Sequence, residues 1–146
     1  GSGLSGTALR YLGYENVEGI DISAELLVLA EKTGAYERLE RVDMQDFPLP
    51  FEDGDFDAVS FIGALTYFES SQILRELCRI VRSGGFVVFS QRDDIMREQD
   101  YGARLDELES EGLWRRRFGT EPMPDLPNHP EYASRIGVQY FVYEVL

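Results

Sequence analysis

At 146 residues, 43% hydrophobic and 28% charged, the chain has the bulk of one soluble globular domain that needs neither disulfides nor a metal to hold its core. Its net charge of −13, from 27 acids against 14 bases, opposes binding to long nucleic acid, which needs cations to displace counterions from phosphates. No apolar run approaches the roughly 20 residues of a membrane helix, and the single cysteine, Cys78, excludes an internal disulfide and fits a reducing compartment, cytoplasmic or nuclear.

The chain opens on GSGLSG, a glycine turn that lets backbone N–H groups approach a ligand because no Cβ stands in the way. A helix is expected from Gly6 to about Leu12, stopped at Gly13. Val17 to Asp21 reads as a short apolar strand that ends on a lone acid, placed to accept hydrogen bonds from two vicinal ribose hydroxyls. Ser23 offers a cap to the helical run AELLVLAEKT, with Glu25 in its first turn and Gly34 as a left-handed stop. A strand near Leu39 to Val42 follows, then the turn-rich FPLPFEDGDF.

Asp57 to Ile62 reads as a buried strand, Gln72 to Val81 as a helix capped by Ser70 or Ser71, Arg82 to Gly85 as a tight turn, and Phe86 to Ser90 as another buried strand. One helix is expected between about Ile95 and Glu111, with Tyr101, Leu105 and Leu108 on one face. LWRRRFGTEPM and GVQYFVYEVL read as two late strands joined by a Pro-rich segment, an arrangement compatible with an antiparallel pair at a sheet edge. Arg115, Arg116 and Arg117, the richest basic cluster, fall in the first of these, and Trp114 is expected to pack at its start. The alternation of helix and strand before that argues for a parallel sheet with crossover helices. Cys78 lies in ILRELCRIV, where a small buried apolar role is favoured over a reactive thiol. With His129 the only histidine, a metal site would have to be built from carboxylates, and no such cluster stands out.

These residues resemble the class I S-adenosylmethionine-dependent methyltransferases over essentially the whole chain. Gly1 and Gly3 match the last two of the three alternate glycines of that family's first motif. Asp21, in GIDIS, matches the acid that holds the ribose hydroxyls, with Ile22 beside it. Asp43, in VDMQDF, matches the acid that receives the adenine amino group, and Met44 would supply a backbone N–H to the ring. LPFEDGDFDAVSFIGAL resembles the fourth motif, whose strand end near Ile62 and Gly63 faces the methionine portion. RIVRSGGFVVFS resembles the turn into the family's fifth strand. RDDI, ESEGLW, EPMPDLPNHP and FVYEVL are similar to the narrower group of Williams–Beuren syndrome chromosome region 27 methyltransferase-like proteins.

The resemblance implies an α/β fold, a Rossmann-like seven-stranded methyltransferase sheet with helices on both faces, as a single domain over residues 1–146. It also implies that the first strand is lacking from this chain, which reads as an N-terminally truncated fragment. In that fold the first strand lies between the second and fourth strands, so its loss leaves two edges with unpaired backbone groups. The isolated chain is therefore expected to be unstable or only partly ordered and to bind cofactor poorly.

The function implied is transfer of a methyl group from S-adenosylmethionine to a small molecule or a protein side chain, with no metal. Such transfer needs a nucleophile aligned behind the methyl carbon, so positioning and desolvation carry much of it and no triad is required. No catalytic base is assigned; Tyr67, Tyr101, Glu121 and His129 are candidates for the acceptor mouth or for acid–base work. Other roles stay open. The glycines could form only a tight turn, Asp21 could be a helix-entry acid, Asp43 a turn acid, and Ile62 and Gly63 strand-end packing. A cofactor-binding or interaction module without turnover is the alternative function. A nicotinamide oxidoreductase is a third, since the glycine loop and a ribose acid are common to both cofactors.

Overall fold

Gly3 turns the chain at φ +98°, and helix α1 (Leu4–Tyr11) starts directly behind it. The computed structural model describes residues 1–68, 71–124, 128 and 136–146. Within them the chain divides into two compact units, Gly1–Leu49 and Pro50–Leu146.

In the first unit, α1 leads to strand β1 (Glu18–Asp21), helix α2 (Ala24–Lys32) and strand β2 (Arg38–Arg41). The strands pair in parallel, Glu18 opposite Arg38 and Asp21 opposite Arg41. Ser23 Oγ accepts the Leu26 N–H at 3.2 Å, the expected cap, which satisfies one of the donors a helix start leaves open. Gly34 follows α2 at φ +63°, the left-handed stop.

The second unit runs β3 (Phe56–Phe61), a 3-10 turn (Leu65–Tyr67), α3 (Gln72–Ile80), β4 (Val81–Arg92), α4 (Asp93–Glu98), α5 (Tyr101–Ser110), β5 (Trp114–Gly119), β6 (Met123–Pro124) and β7 (Gly137–Val145). The strand order is β3-β4-β7-β5, with β6 also on β7. β3 and β4 are parallel, whereas β7 is antiparallel to β4, β5 and β6. Among the described residues β1 pairs only with β2, and β3 only with β4, so each unit carries its own sheet. Ile73, Leu77 and Ile80 on one side, with Leu74 and Cys78 beside them, give α3 a buried face at helical spacing. Burial pushes the Cys78 thiol up to about 12, so it stays protonated and inert.

The core of this unit is an aromatic stack. Phe89 lies 6.0 Å from Trp114, 5.2 Å from Phe141 and 5.8 Å from Tyr143, ring centre to ring centre, and Trp114 is 4.2 Å from Tyr143. Trp114 is fully buried at the start of β5, as its position predicts, and its indole N–H donates to the Leu105 carbonyl at 3.2 Å. That bond lays α5 over this face of the sheet.

Three boundaries differ from those expected. The helix over 95–111 is two helices, because Asp100 takes the left-handed conformation (φ 47°) and redirects the chain between α4 and α5. Asp is among the few residues with a side chain that tolerate it. The turn at Arg82 to Gly85 lies inside β4: Phe56 pairs with Val81 and Ala58 with Phe86, so the SGG stretch loops out as a bulge. A Cβ on Gly85 would meet the Asp57 carbonyl oxygen at 2.5 Å, which is why glycine stands there. The run from Leu113 to Met123 is β5 and the separate two-residue β6.

Candidate cofactor site

β1 and β2 are parallel and end together, so the residues that follow them share one edge of the first unit. Asp21 is the last residue of β1. Its carbonyl accepts the Val42 N–H at 3.2 Å, which brings Asp43, the next residue, beside the end of β1. Crevices outside the carboxyl ends of parallel strands are where α/β sheets bind ligands.

The Asp21 side chain is 18% exposed. Oδ1 accepts the Ser23 N–H at 2.8 Å and Oδ2 accepts from the Gly1 amino group. Burial raises the Asp21 carboxyl, and the Ser23 and Ile22 N–H groups that bond to it pull it back down. An ionised carboxylate offers about four acceptor positions, so two bonds leave capacity for a diol. Asp43 Oδ1 accepts the Gln45 N–H at 3.0 Å, which orients the carboxylate at the start of the turn. Asp43 and Met44 are both half-buried, and Ile22 is exposed.

The glycine loop is built to lie close. A Cβ on Gly3 would meet the Ala30 Cα and the Thr33 Cγ2, each at 2.9 Å, and its positive φ adds strain for any L side chain. Gly1 has open space around it, so nothing in the first unit demands glycine there. Behind the loop stands Tyr36, which sequence reading missed. Its hydroxyl accepts the Gly6 N–H at 3.0 Å, and its ring fills the space that side chains on Gly6 and Gly19 would need. The signal was present: two glycines, inside a helix and a strand, where neither turns the chain.

In the second unit, Ile62 is exposed after β3, and Gly63 adopts φ +71° and donates its N–H to Ser90 Oγ at 2.9 Å. Thr66 in the 3-10 turn donates to Gln91 Oε1 at 3.0 Å. Ser90 and Gln91, both buried and both unforeseen, thus tie the segment after β3 to the end of β4. Tyr67 is exposed, Tyr101 is fully buried, Glu121 is exposed, and His129 lies outside the described residues. Thus Gly1, Gly3, Asp21, Ile22, Asp43 and Met44 share the first unit, and Ile62 and Gly63 belong to the second.

A cavity of about 430 Å³ on the first unit is lined by Arg10, Asn16, Tyr36 and Glu37 among others. It lies before the starts of β1 and β2, the end opposite Asp21 and Asp43, and is no candidate for the same ligand. The edge that follows β1 and β2 thus carries two carboxylates, each with one oxygen held by a backbone N–H, and a loop in which Gly3 admits no side chain. Among the described residues no group of three or more His, Cys, Asp or Glu is placed to hold a metal ion, and no helix is long and apolar enough to cross a membrane.

Residues 1–89 match the family model described as "Methyltransferase domain". The chain is 33% identical over 118 residues to the human protein named Methyltransferase-like protein 27, covering 78% of this chain and 48% of that one. It is 36% identical over 76 residues to demethylmenaquinone methyltransferase of Bacillus pumilus, covering 49% of this chain and 32% of that one. The chain therefore spans half or less of the length of these curated relatives. The structure titled S-adenosylmethionine dependent methyltransferase from Mesorhizobium loti superposes with a TM-score of 0.77 at 20% identity, over 99% of this chain and 87% of that one. The architecture is the Rossmann-like methyltransferase fold.

Proposed function

This chain belongs to the methyltransferase-domain family, and from that premise we propose that its protein uses S-adenosylmethionine to methylate a small molecule or a protein side chain. Residues 1–146 form one methyltransferase domain in this reading. The observation that carries it is the pair Asp21 and Asp43 at the ends of adjacent parallel strands, beside a loop in which Gly3 admits no side chain.

When bound, S-adenosylmethionine supplies a methyl carbon made electrophilic by its sulfonium. Asp21 accepts from the ribose hydroxyls, with Ile22 alongside. Asp43 accepts from the adenine amino group, and the Met44 N–H donates to the ring. Gly1 and Gly3 bring the backbone against the amino-acid tail. Ile62 and Gly63 border the methionine portion; because the Gly63 N–H is committed to Ser90, that residue contributes its bare Cα and its carbonyl. The chain's work is to orient and to exclude water, which suits a reaction whose barrier falls mainly by alignment and desolvation. No residue is assigned as catalytic base.

Calorimetric titration of the full-length protein with S-adenosylhomocysteine is expected to give saturable heat, and incubation with methyl-labelled S-adenosylmethionine and cell extract to give labelled product. Heat without product would favour the non-catalytic binding module. Absence of heat, with tight NADH binding instead, would replace the methyltransferase reading by the oxidoreductase one.

A further inference from the structure

Among the described residues of the second unit, three side-chain atoms are buried without a hydrogen-bond partner in the protein: Gln91 Nε2, Gln99 Oε1 and the Tyr101 hydroxyl. Gln91 is 1% exposed and Tyr101 0%. The orientation of the Gln91 amide is fixed, because its oxygen accepts the Arg92 N–H at 2.9 Å as well as the Thr66 hydroxyl, and an NH₂ group cannot accept. The orphan at Gln91 is therefore a donor. Burial pushes the Tyr101 phenol up to about 12, so at neutral pH it too keeps its proton and can donate. Buried donors without partners destabilise a fold and call for a reason.

The topology carries these residues toward one end of the sheet. Gln91 alternates with Phe89 along β4 and shares its face, the face on which Trp114 stacks and over which α5 lies. β5 is antiparallel to β7, which is antiparallel to β4, so β5 runs with β4. The tight turn from Ser110 to Trp114 makes α5 run against both. Its first residue, Tyr101, therefore lies toward the end of β4, where Gln91 is, and Gln99 precedes it by two residues. This is the edge to which Thr66 and Gly63 are tied.

We propose that Gln91 Nε2 and the Tyr101 hydroxyl are donors reserved for an oxygen of the methyl acceptor, which is a small oxygen-bearing molecule. The inference rests on the methyl-transfer reading and narrows its acceptor. Atoms closed beneath α5 are out of reach of a folded protein surface, and a narrow molecule reaches them only through an opening of that helix. Entry requires the first turn of α5 to move, and Asp100, at φ 47°, is the residue that joins that turn to α4.

Tyr101→Phe in the full-length protein separates this from a structural role. Removing an orphan hydroxyl is expected to raise the unfolding midpoint by a few degrees, about 2–6 °C. Labelling of the small-molecule fraction of a cell extract by methyl-labelled S-adenosylmethionine, at a subsaturating dose of extract, is expected to fall by roughly 10-fold. Affinity for S-adenosylhomocysteine should stay within about twofold of the parent's, because the hydroxyl donates to the acceptor and not to the cofactor. The two effects move in opposite directions, which no packing role produces. The proposal is overturned if the variant labels as well as the parent, if stability and labelling fall together, or if label enters protein only. A parent that binds S-adenosylhomocysteine and labels nothing overturns it along with the catalytic reading. A parent that fails to bind overturns the cofactor reading itself.

Discussion

Asp21→Ala in the full-length protein is expected to weaken S-adenosylhomocysteine binding by roughly 30- to 1,000-fold, a loss of about 2–4 kcal/mol for hydrogen bonds to a charged acceptor. The carboxylate ends β1 with one oxygen fixed by the Ser23 N–H, so its orientation is set before a ligand arrives. Pre-organisation of this kind is what makes the loss large. The substitution also removes an acceptor at the entry to α2, so folding must be monitored in parallel. The Ser23 Oγ cap on Leu26 remains, and α2 is expected to persist. Asp21→Asn keeps an oxygen for Ser23 and loses the charge, and should fall between the two. Titration calorimetry on all three proteins checks the order; equal affinities would remove Asp21 from the site.

The second large effect is on stability. Trp114→Ala empties the centre of the stack with Phe89 and Tyr143 and removes the indole bond to Leu105, at a cost of about 3–5 kcal/mol. A domain of this size is stable by only about 5–15 kcal/mol, so a large share of the margin goes. Trp114 is the only tryptophan, so its own fluorescence cannot follow the variant, and far-ultraviolet circular dichroism in denaturant is the suitable readout. Trp114→Phe, which keeps a ring, should lose about half as much or less. A midpoint for Trp114→Ala within experimental error of the parent would show that the stack does not hold the second unit.

Much of this architecture is written in local pattern. Ser23 before AELLVLAEK, Gly34 behind it and the apolar run into Asp21 each act on their neighbours, so the first unit was legible element by element. The same holds for α3, whose buried residues keep helical spacing. What was not legible depends on contacts distant in sequence. The helical face of Tyr101, Leu105 and Leu108 was read correctly, yet the break at Asp100 carries no Gly or Pro to announce it. The SGG stretch has turn chemistry, and only pairing with β3 makes it a bulge within a strand.

The site divides in the same way. Asp21 could be singled out because it closes a strand, and Asp43 because VDMQDF resembles a family motif; β1 pairing with β2 brings the backbone at both to one edge. Tyr36 was missed although Gly6 and Gly19 mark the space for a large ring, since they lie 30 and 17 residues back and only the fold stacks them on it. Gln91 is a buried glutamine in a strand, a choice that local propensity disfavours; its side-chain oxygen is held by the Arg92 N–H and by Thr66, a contact that only the fold brings together.

A crystal structure of the full-length protein with S-adenosylhomocysteine asks the central question directly. The ribose oxygens should lie within about 3 Å of the Asp21 carboxylate, with the adenine amino group at Asp43 and the homocysteine carboxylate against the opening glycines. A nucleoside bound elsewhere, or these two acids turned from it toward solvent, would contradict the account.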